Sequence, residues 1–296
     1  MSQADKPTNT ARAELLETNR QAWNAQVRRQ NRWTQCVSTE QVQRAREGNV
    51  EIVLTPKRLV PNHWFPPLAG CRTLLMAGGG GQQGPLLAAA GAEVTVLDLS
   101  DEQLVQDRRV AEREGLNIRT IQSSMDNMEQ LGDDEFELIV HPCSNCFVPD
   151  LTPVWSEAAR VLRKGGTLIS GFCNPLIFLF DEEKLNTGKL EVEFRLPYSD
   201  AEQLSKERLA KLRQDEEPMM FGHSLTDQMA LQLRAGFVMQ DLYEDFWGEE
   251  PTRTEAVELE SSAADSAPQA SASDPTGLEQ LDRHIASFLA TKCLRS

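Results

Sequence analysis

Between residues 72 and 173 the chain alternates short apolar runs with longer stretches whose apolar positions recur every three or four residues. The runs at 72–77 (RTLLMA), 93–99 (EVTVLDL), 117–122 (NIRTIQ), 136–141 (FELIVH) and 166–172 (GTLISGF) predict strands. The stretches at 82–91, 101–114 and 154–164 predict helices. Strand and helix alternation at this spacing implies right-handed crossovers and a parallel sheet covered on both faces, an α/β doubly wound, Rossmann-like fold.

Outside that core the pattern changes. Residues 11–33 have helical spacing with no Pro or Gly, a second short helix is expected at 39–47, and 51–70 is extended and proline-punctuated, as for a connection laid over a domain surface. These make an N-terminal helical extension or lid over residues 1–68, with the main domain at 69–296. Near the C-terminus a helix at 224–236 leads into FVMQDLYEDFW and then HIASFLATKCL with no helical crossover between them, which predicts an antiparallel hairpin added to a mostly parallel sheet. Residues 181–218 interrupt the alternation and are expected to cap the strand ends. Residues 249–278, rich in Ser, Ala, Pro and acid, read as a disordered acidic excursion in the hairpin turn.

Composition narrows the function. With 30 basic and 45 acidic residues the formal charge is −15, which opposes binding to phosphate backbones and disfavours a nucleic-acid partner. No run approaches the roughly 18 apolar residues of a membrane span, and the polar N-terminus lacks a secretory core, so a cytoplasmic location is expected. The six cysteines are scattered as reduced thiols are, not as a disulfide framework.

The chemistry centres on LLMAGGGGQQGPLLAAAGA, residues 74–92, a glycine-rich turn between strand and helix. Four consecutive glycines exceed what an unliganded tight turn requires, so the loop is read as one that lets a ligand approach its backbone. A phosphate-binding P-loop would need Lys and Ser or Thr after the last glycine, where Pro85 and Leu86 stand. Gly79, Gly81 and Gly84 match the dinucleotide pattern GxGxxG, with Asp98 placed to hold a ribose diol, so a nicotinamide-dependent oxidoreductase is one reading. S-adenosylmethionine also takes a close glycine turn and a ribose-binding carboxylate, and is the other. Ser100 is the better helix cap, which leaves Asp98 for the ribose.

Residues 153–173, PVWSEAARVLRKGGTLISGFC, closely resemble the helix, turn and strand that follow the fourth strand of class I S-adenosylmethionine-dependent methyltransferases of the small-molecule type. The resemblance spans about 72–173 and, in outline, the terminal hairpin; it extends to bacterial methyltransferases of unassigned substrate through NRQAWNAQV and HPCSNCFVPD. It implies S-adenosyl-L-methionine as cofactor and a small-molecule methyl acceptor. It also implies a binding set of Gly78, Gly79, Gly80, Gln83, Asp98, Leu99, Ser124 and Met125, with Gly165 and Gly166 reversing the chain after the helix. Two departures stand out: Met76 and Ser124 occupy positions where the family usually or often carries an acid, and Gln82 or Gln83 are candidates to substitute. A fold serving only as a binding or interaction module, through 249–278, is the non-catalytic reading.

The loop HPCSNCFVPD leaves the fourth strand beside the glycine loop, where open α/β sheets bind ligands. There His141 is a candidate contact to the cofactor and general base for the acceptor, with Asn145 positioning it. The alternative is a satisfied core histidine beside packing cysteines. Cys143 and Cys146 form a CxxC, but no second pair completes the four ligands of a structural zinc site, so no metal is expected. Trp23, Trp33, Trp64 and Trp247 are candidates for a lid over an apolar substrate.

Overall fold

The computed structural model describes residues 9–248 and 277–296. Five parallel strands form the larger part of its main sheet: β1 (Arg72–Met76), β2 (Glu93–Asp98), β3 (Ile118–Gln122), β4 (Phe136–His141) and β5 (Leu162–Cys173). Two further strands, β8 (Phe237–Asp245) and β9 (Phe288–Arg295), complete the order β3-β2-β1-β4-β5-β9-β8. β9 runs antiparallel to β5 and to the edge strand β8, so the expected hairpin forms and a continuing parallel sheet does not. The crossover helices are α3 (Gln83–Ala89), α4 (Asp101–Glu114) and α5 (Leu151–Val161).

The central strands read as continuous apolar runs because both faces are covered. Leu75, Val96, Val140 and Ile169 face one core, completed by α3 and by the buried Val42, Ile52 and Trp64 of the N-terminal segment. Leu74, Met76, Leu97, Ile139 and Leu168 face the other, packed on Val154, Trp155 and Ala158 of α5. Local signals set the helix ends: the Ser100 hydroxyl accepts from Gln103 N at 3.1 Å to open α4, and Gly115 closes it at φ 64°.

Three expectations are corrected. Helix 154–164 starts and ends three residues earlier, capped by Asp150, and Gly165 and Gly166 lie inside β5. The pairing there shifts from Phe136 with Leu162 to Leu138 with Thr167, so the glycines form a bulge and not a helix-terminating turn. The connection 51–70 is not a surface strap: Ile52, Leu54, Val60 and Trp64 are buried, and Leu54 O accepts from Cys143 N at 2.9 Å. The helix at 224–236 is a π-helical turn, Thr226–Ala230, continued by α9 (Leu231–Arg234).

The N-terminal α1 (Asn9–Arg28) and α2 (Thr39–Arg46) flank the sheet. The segment after β5 carries α6 (Glu182–Leu185), a two-stranded ribbon of β6 (Tyr198–Ser199) and β7 (Phe221–Gly222), α7 (Asp200–Gln203) and α8 (Lys206–Gln214). α10 (Gly277–Leu281) precedes β9. The excursion read at 249–278 lies, but for its last two residues, outside the described residues. No described helix is long and apolar enough to cross a membrane.

Candidate active site

A cavity of about 810 Å³ opens at the carboxyl ends of the parallel strands. One wall holds Ala77, Gly78, Gly79, Gln82 and Gln83 of the glycine loop, Asp98 and Leu99 after β2, Gln103 of α4, and Ser124 and Met125 after β3. The lining also carries a largely apolar set, Trp23, Trp33, Phe147, Phe178, Phe194, Tyr198 and Trp247, of which Trp33 adjoins the glycine loop. The residues 181–218 contribute Glu182, Leu185, Tyr198, Asp200 and Arg208 among others.

Asp98 organises the first wall. Its Oδ2 accepts from Gly79 N at 2.9 Å and its Oδ1 from Ser100 N at 2.8 Å. Burial pushes its pKa up to about 6, against the pull of these backbone donors. The glycine loop passes so close that a Cβ on Gly79 would meet the Gln103 Cβ at 2.9 Å and Asp98 Oδ2 at 3.1 Å. Gly80 sits at φ 111° and is turned away from the cavity, where its N–H donates to Asp107 Oδ2 at 2.9 Å. Nothing in the sequence distinguishes Asp107 from the other acids of its helix. Its burial raises the pKa to about 7, opposed by the amides of Gly80 and Gly81 and reinforced by Asp98. Gln103, equally inconspicuous in the sequence, is 5% exposed and presents a buried Oε1 with no partner among the described residues.

The fit to an adenosyl ligand follows from these atoms. A carboxylate with oxygens at the cavity wall, an unpartnered amide oxygen beside it and a backbone loop without side chains suit a pair of ribose hydroxyls. Met76, at the position where an acid is usual, is buried in the second core, and Ala77, held at φ 49°, lines the cavity instead. Gln82 and Gln83 tie the loop to the N-terminal segment: Gln82 Nε2 donates to the Arg32 and Gln35 carbonyls at 3.0 and 3.1 Å, and Gln83 Nε2 to Val53 O at 3.1 Å.

His141 and Asn145, read as candidate catalytic groups, are not among the residues that line the cavity. The His141 ring is fully buried, edge-on to Trp155, with Nδ1 at 2.8 Å from Met76 O and Nε2 at 2.7 Å from the Asn145 side chain. Burial lowers its pKa and keeps it neutral. The Asn145 side chain in turn donates from Nδ2 to Gln228 Oε1 at 2.7 Å. Both nitrogens are therefore spent on structure. Of the candidate lid tryptophans, Trp64 is instead a core residue whose Nε1 donates to Asp241 at 2.8 Å. Trp33 packs edge-on against Trp247 with Arg32 over its ring at 4.3 Å.

Known proteins resemble this chain in sequence and in fold. A family model described as a methyltransferase domain matches residues 74–170. The uncharacterized methyltransferase YbaJ of Bacillus subtilis (strain 168) is 49% identical over 234 residues, which cover 79% of this chain and 92% of that protein. An S-adenosylmethionine-dependent methyltransferase from Mesorhizobium loti shares the fold at 18% identity and a TM-score of 0.54, over 79% of this chain and 94% of that one. So does the 1,6-didemethyltoxoflavin-N1-methyltransferase of Burkholderia thailandensis, solved with 1,6-didemethyltoxoflavin and S-adenosylhomocysteine, at 12% identity and a TM-score of 0.53 over 99% and 93%. A matching domain and a near relative along most of its length place the chain in one family: it belongs to the methyltransferases, with the fold of the S-adenosylmethionine-dependent ones.

Proposed function

We propose that the cavity holds the cofactor against the wall of Gly78, Gly79, Asp98, Leu99, Gln103, Ser124 and Met125, and a small, largely apolar acceptor against the aromatic wall. The observation that carries this reading is that one cavity is lined both by the glycine loop with Asp98 and by a set of aromatic side chains. S-adenosylmethionine supplies an already activated methyl group, so the protein's work is to orient the acceptor, exclude water and take up a proton. Trp23, edge-on to Phe147 at 5.0 Å, and the Trp33–Trp247 pair offer flat apolar surface for that orientation.

With His141 buried, the proton falls to another group. Tyr198 and Asp200 both line the acceptor wall, and the Tyr198 hydroxyl donates to Asp200 Oδ1 at 2.7 Å. Asp200 Oδ2 accepts from Met220 N at 2.7 Å, and burial raises its pKa above the ordinary carboxylate range. An acceptor O–H or N–H that loses its proton to the Tyr198 oxygen passes the phenolic proton on to Asp200.

Calorimetric titration with S-adenosylhomocysteine and with NADH, then mass spectrometry of cell extracts incubated with isotopically labelled S-adenosylmethionine, tests the proposal. Binding of the first ligand alone and a labelled product of low molecular mass are expected. Label that appears only in macromolecules would overturn the small-molecule acceptor. Tyr198→Phe should lower kcat at least tenfold while S-adenosylhomocysteine affinity stays unchanged; an unaltered kcat would remove Tyr198 from the proton path.

A further inference from the structure

On the cavity wall, the loop after β4 and the end of β5 bring three thiols together: Cys143, Cys146 and Cys173. Cys143 is half-buried, Cys146 and Cys173 are buried, and none is paired in a disulfide. The sulfurs of Cys143 and Cys173 stand 3.3 Å apart. We propose that Cys143 and Cys173 form a redox-active dithiol that a small peroxide, entering through the cavity, oxidises to a disulfide.

Three observations support it. The separation needs a closure of only about 1 Å to reach the S–S bond length near 2.05 Å. Hydrogen bonds from Cys143 and from Cys146 favour the thiolate of Cys173, which makes that sulfur the nucleophile. The described residues contain no group of three or more His, Cys, Asp or Glu side chains placed to share a metal ion, so the thiols are not accounted for as a ligand set. Outside the cluster, His223 is a titratable neighbour of Cys173; its Nε2 donates to the carbonyls of Val148 at 2.9 Å and Asn145 at 3.1 Å, and burial keeps it neutral.

The chemistry balances without another reactant. The Cys173 thiolate attacks one peroxide oxygen, the O–O bond breaks, and hydroxide leaves, giving a sulfenic acid. The Cys143 sulfur then attacks the Cys173 sulfur and expels the second oxygen as hydroxide. The thiol protons convert both hydroxides to water, so two thiols are oxidised by two electrons and one peroxide is reduced to two waters.

The test uses the full-length protein treated with hydrogen peroxide, with thiols counted by Ellman's reagent in denaturant and the bridge located by peptide mapping. The six free thiols should fall to four, the intact mass should drop by two hydrogens, and a Cys143–Cys173 peptide should appear and vanish with dithiothreitol. Cys36→Ser, a change outside the cluster, should leave the loss of two thiols intact, and Cys143→Ser should abolish it. Retention of all six thiols, a bridge that joins Cys146 instead, or direct conversion to sulfinic acid would overturn the proposal. Because the decisive readout is a thiol count in the wild-type chain, it stands whether or not a variant folds and whatever the methyl acceptor proves to be.

Discussion

At Asp98 a single carboxyl organises the glycine loop and faces the cavity, and its raised pKa makes that double duty visible. Ribose hydroxyls donate to the ionised form, so S-adenosylhomocysteine affinity should be flat above pH 7 and fall about tenfold per unit below about pH 6. Asp98→Asn, with the charge gone, should bind more weakly and lose that slope in the same titrations. Asp107 carries a related signal in stability. Its pKa in the fold, about 7, stands above the unfolded 3.8, so the unfolded chain ionises first as pH rises; stability held below pH 4 is lost up to about pH 7. The shift corresponds to a loss of order 4 kcal/mol. Asp107→Asn should therefore gain stability relative to wild type as pH rises from 4 to 7, with no further change above, in urea unfolding at stepped pH. His141 behaves as a structural residue: His141→Ala leaves the Met76 carbonyl and the Asn145 amide unpaired in the core and should cost about 3 kcal/mol.

Among the elements, α1 adds a set of polar contacts to its buried apolar ones. Arg20 and Asn24 hold Asp101 at 2.6 and 2.9 Å, Asn24 also accepts from the Ser100 hydroxyl, and Arg28 reaches Glu102. Asn19, 1% exposed, donates to the carbonyls of Phe147 and Met219 and accepts from Met219 N, so one side chain joins α1 to the loop after β4 and to the segment before β7. Asn19→Ala strands three backbone groups, and hydrogen exchange at 145–149 and 217–222 should accelerate while β1 to β5 stay protected. Contacts of this kind leave little trace in a sequence, whereas burial on two faces leaves a clear one. The central parallel strands are legible because a strand covered on both faces must be apolar throughout, and α4 because Ser100 and Gly115 mark its ends. The buried strap at 51–70 is not, since its prolines look the same over a surface or under a wall. Nor is the fate of His141, because a core histidine and a catalytic one differ only in what lies beyond the ring.

For the molecule as a whole, one cavity is bounded by segments far apart in sequence. Leu16, Trp23 and Trp33 come from the N-terminal segment, Gly79 and Asp98 from the parallel half, and Trp247 and Phe288 from the terminal hairpin. The antiparallel pair thus does more than close the sheet: it contributes Trp247 and Phe288 to the cavity lining. A ligand that fills the polar wall should then stabilise all three segments together. At a hundredfold excess over Kd, S-adenosylhomocysteine contributes about 2.7 kcal/mol, which for a chain of this size raises Tm by about 5 °C. Exchange protection should rise at 77–83 and 98–103 and, through the contacts of Gln82 with Arg32 and Gln35, at 31–36 as well. Protection confined to the glycine loop would show that the N-terminal segment rests on the site without being coupled to it.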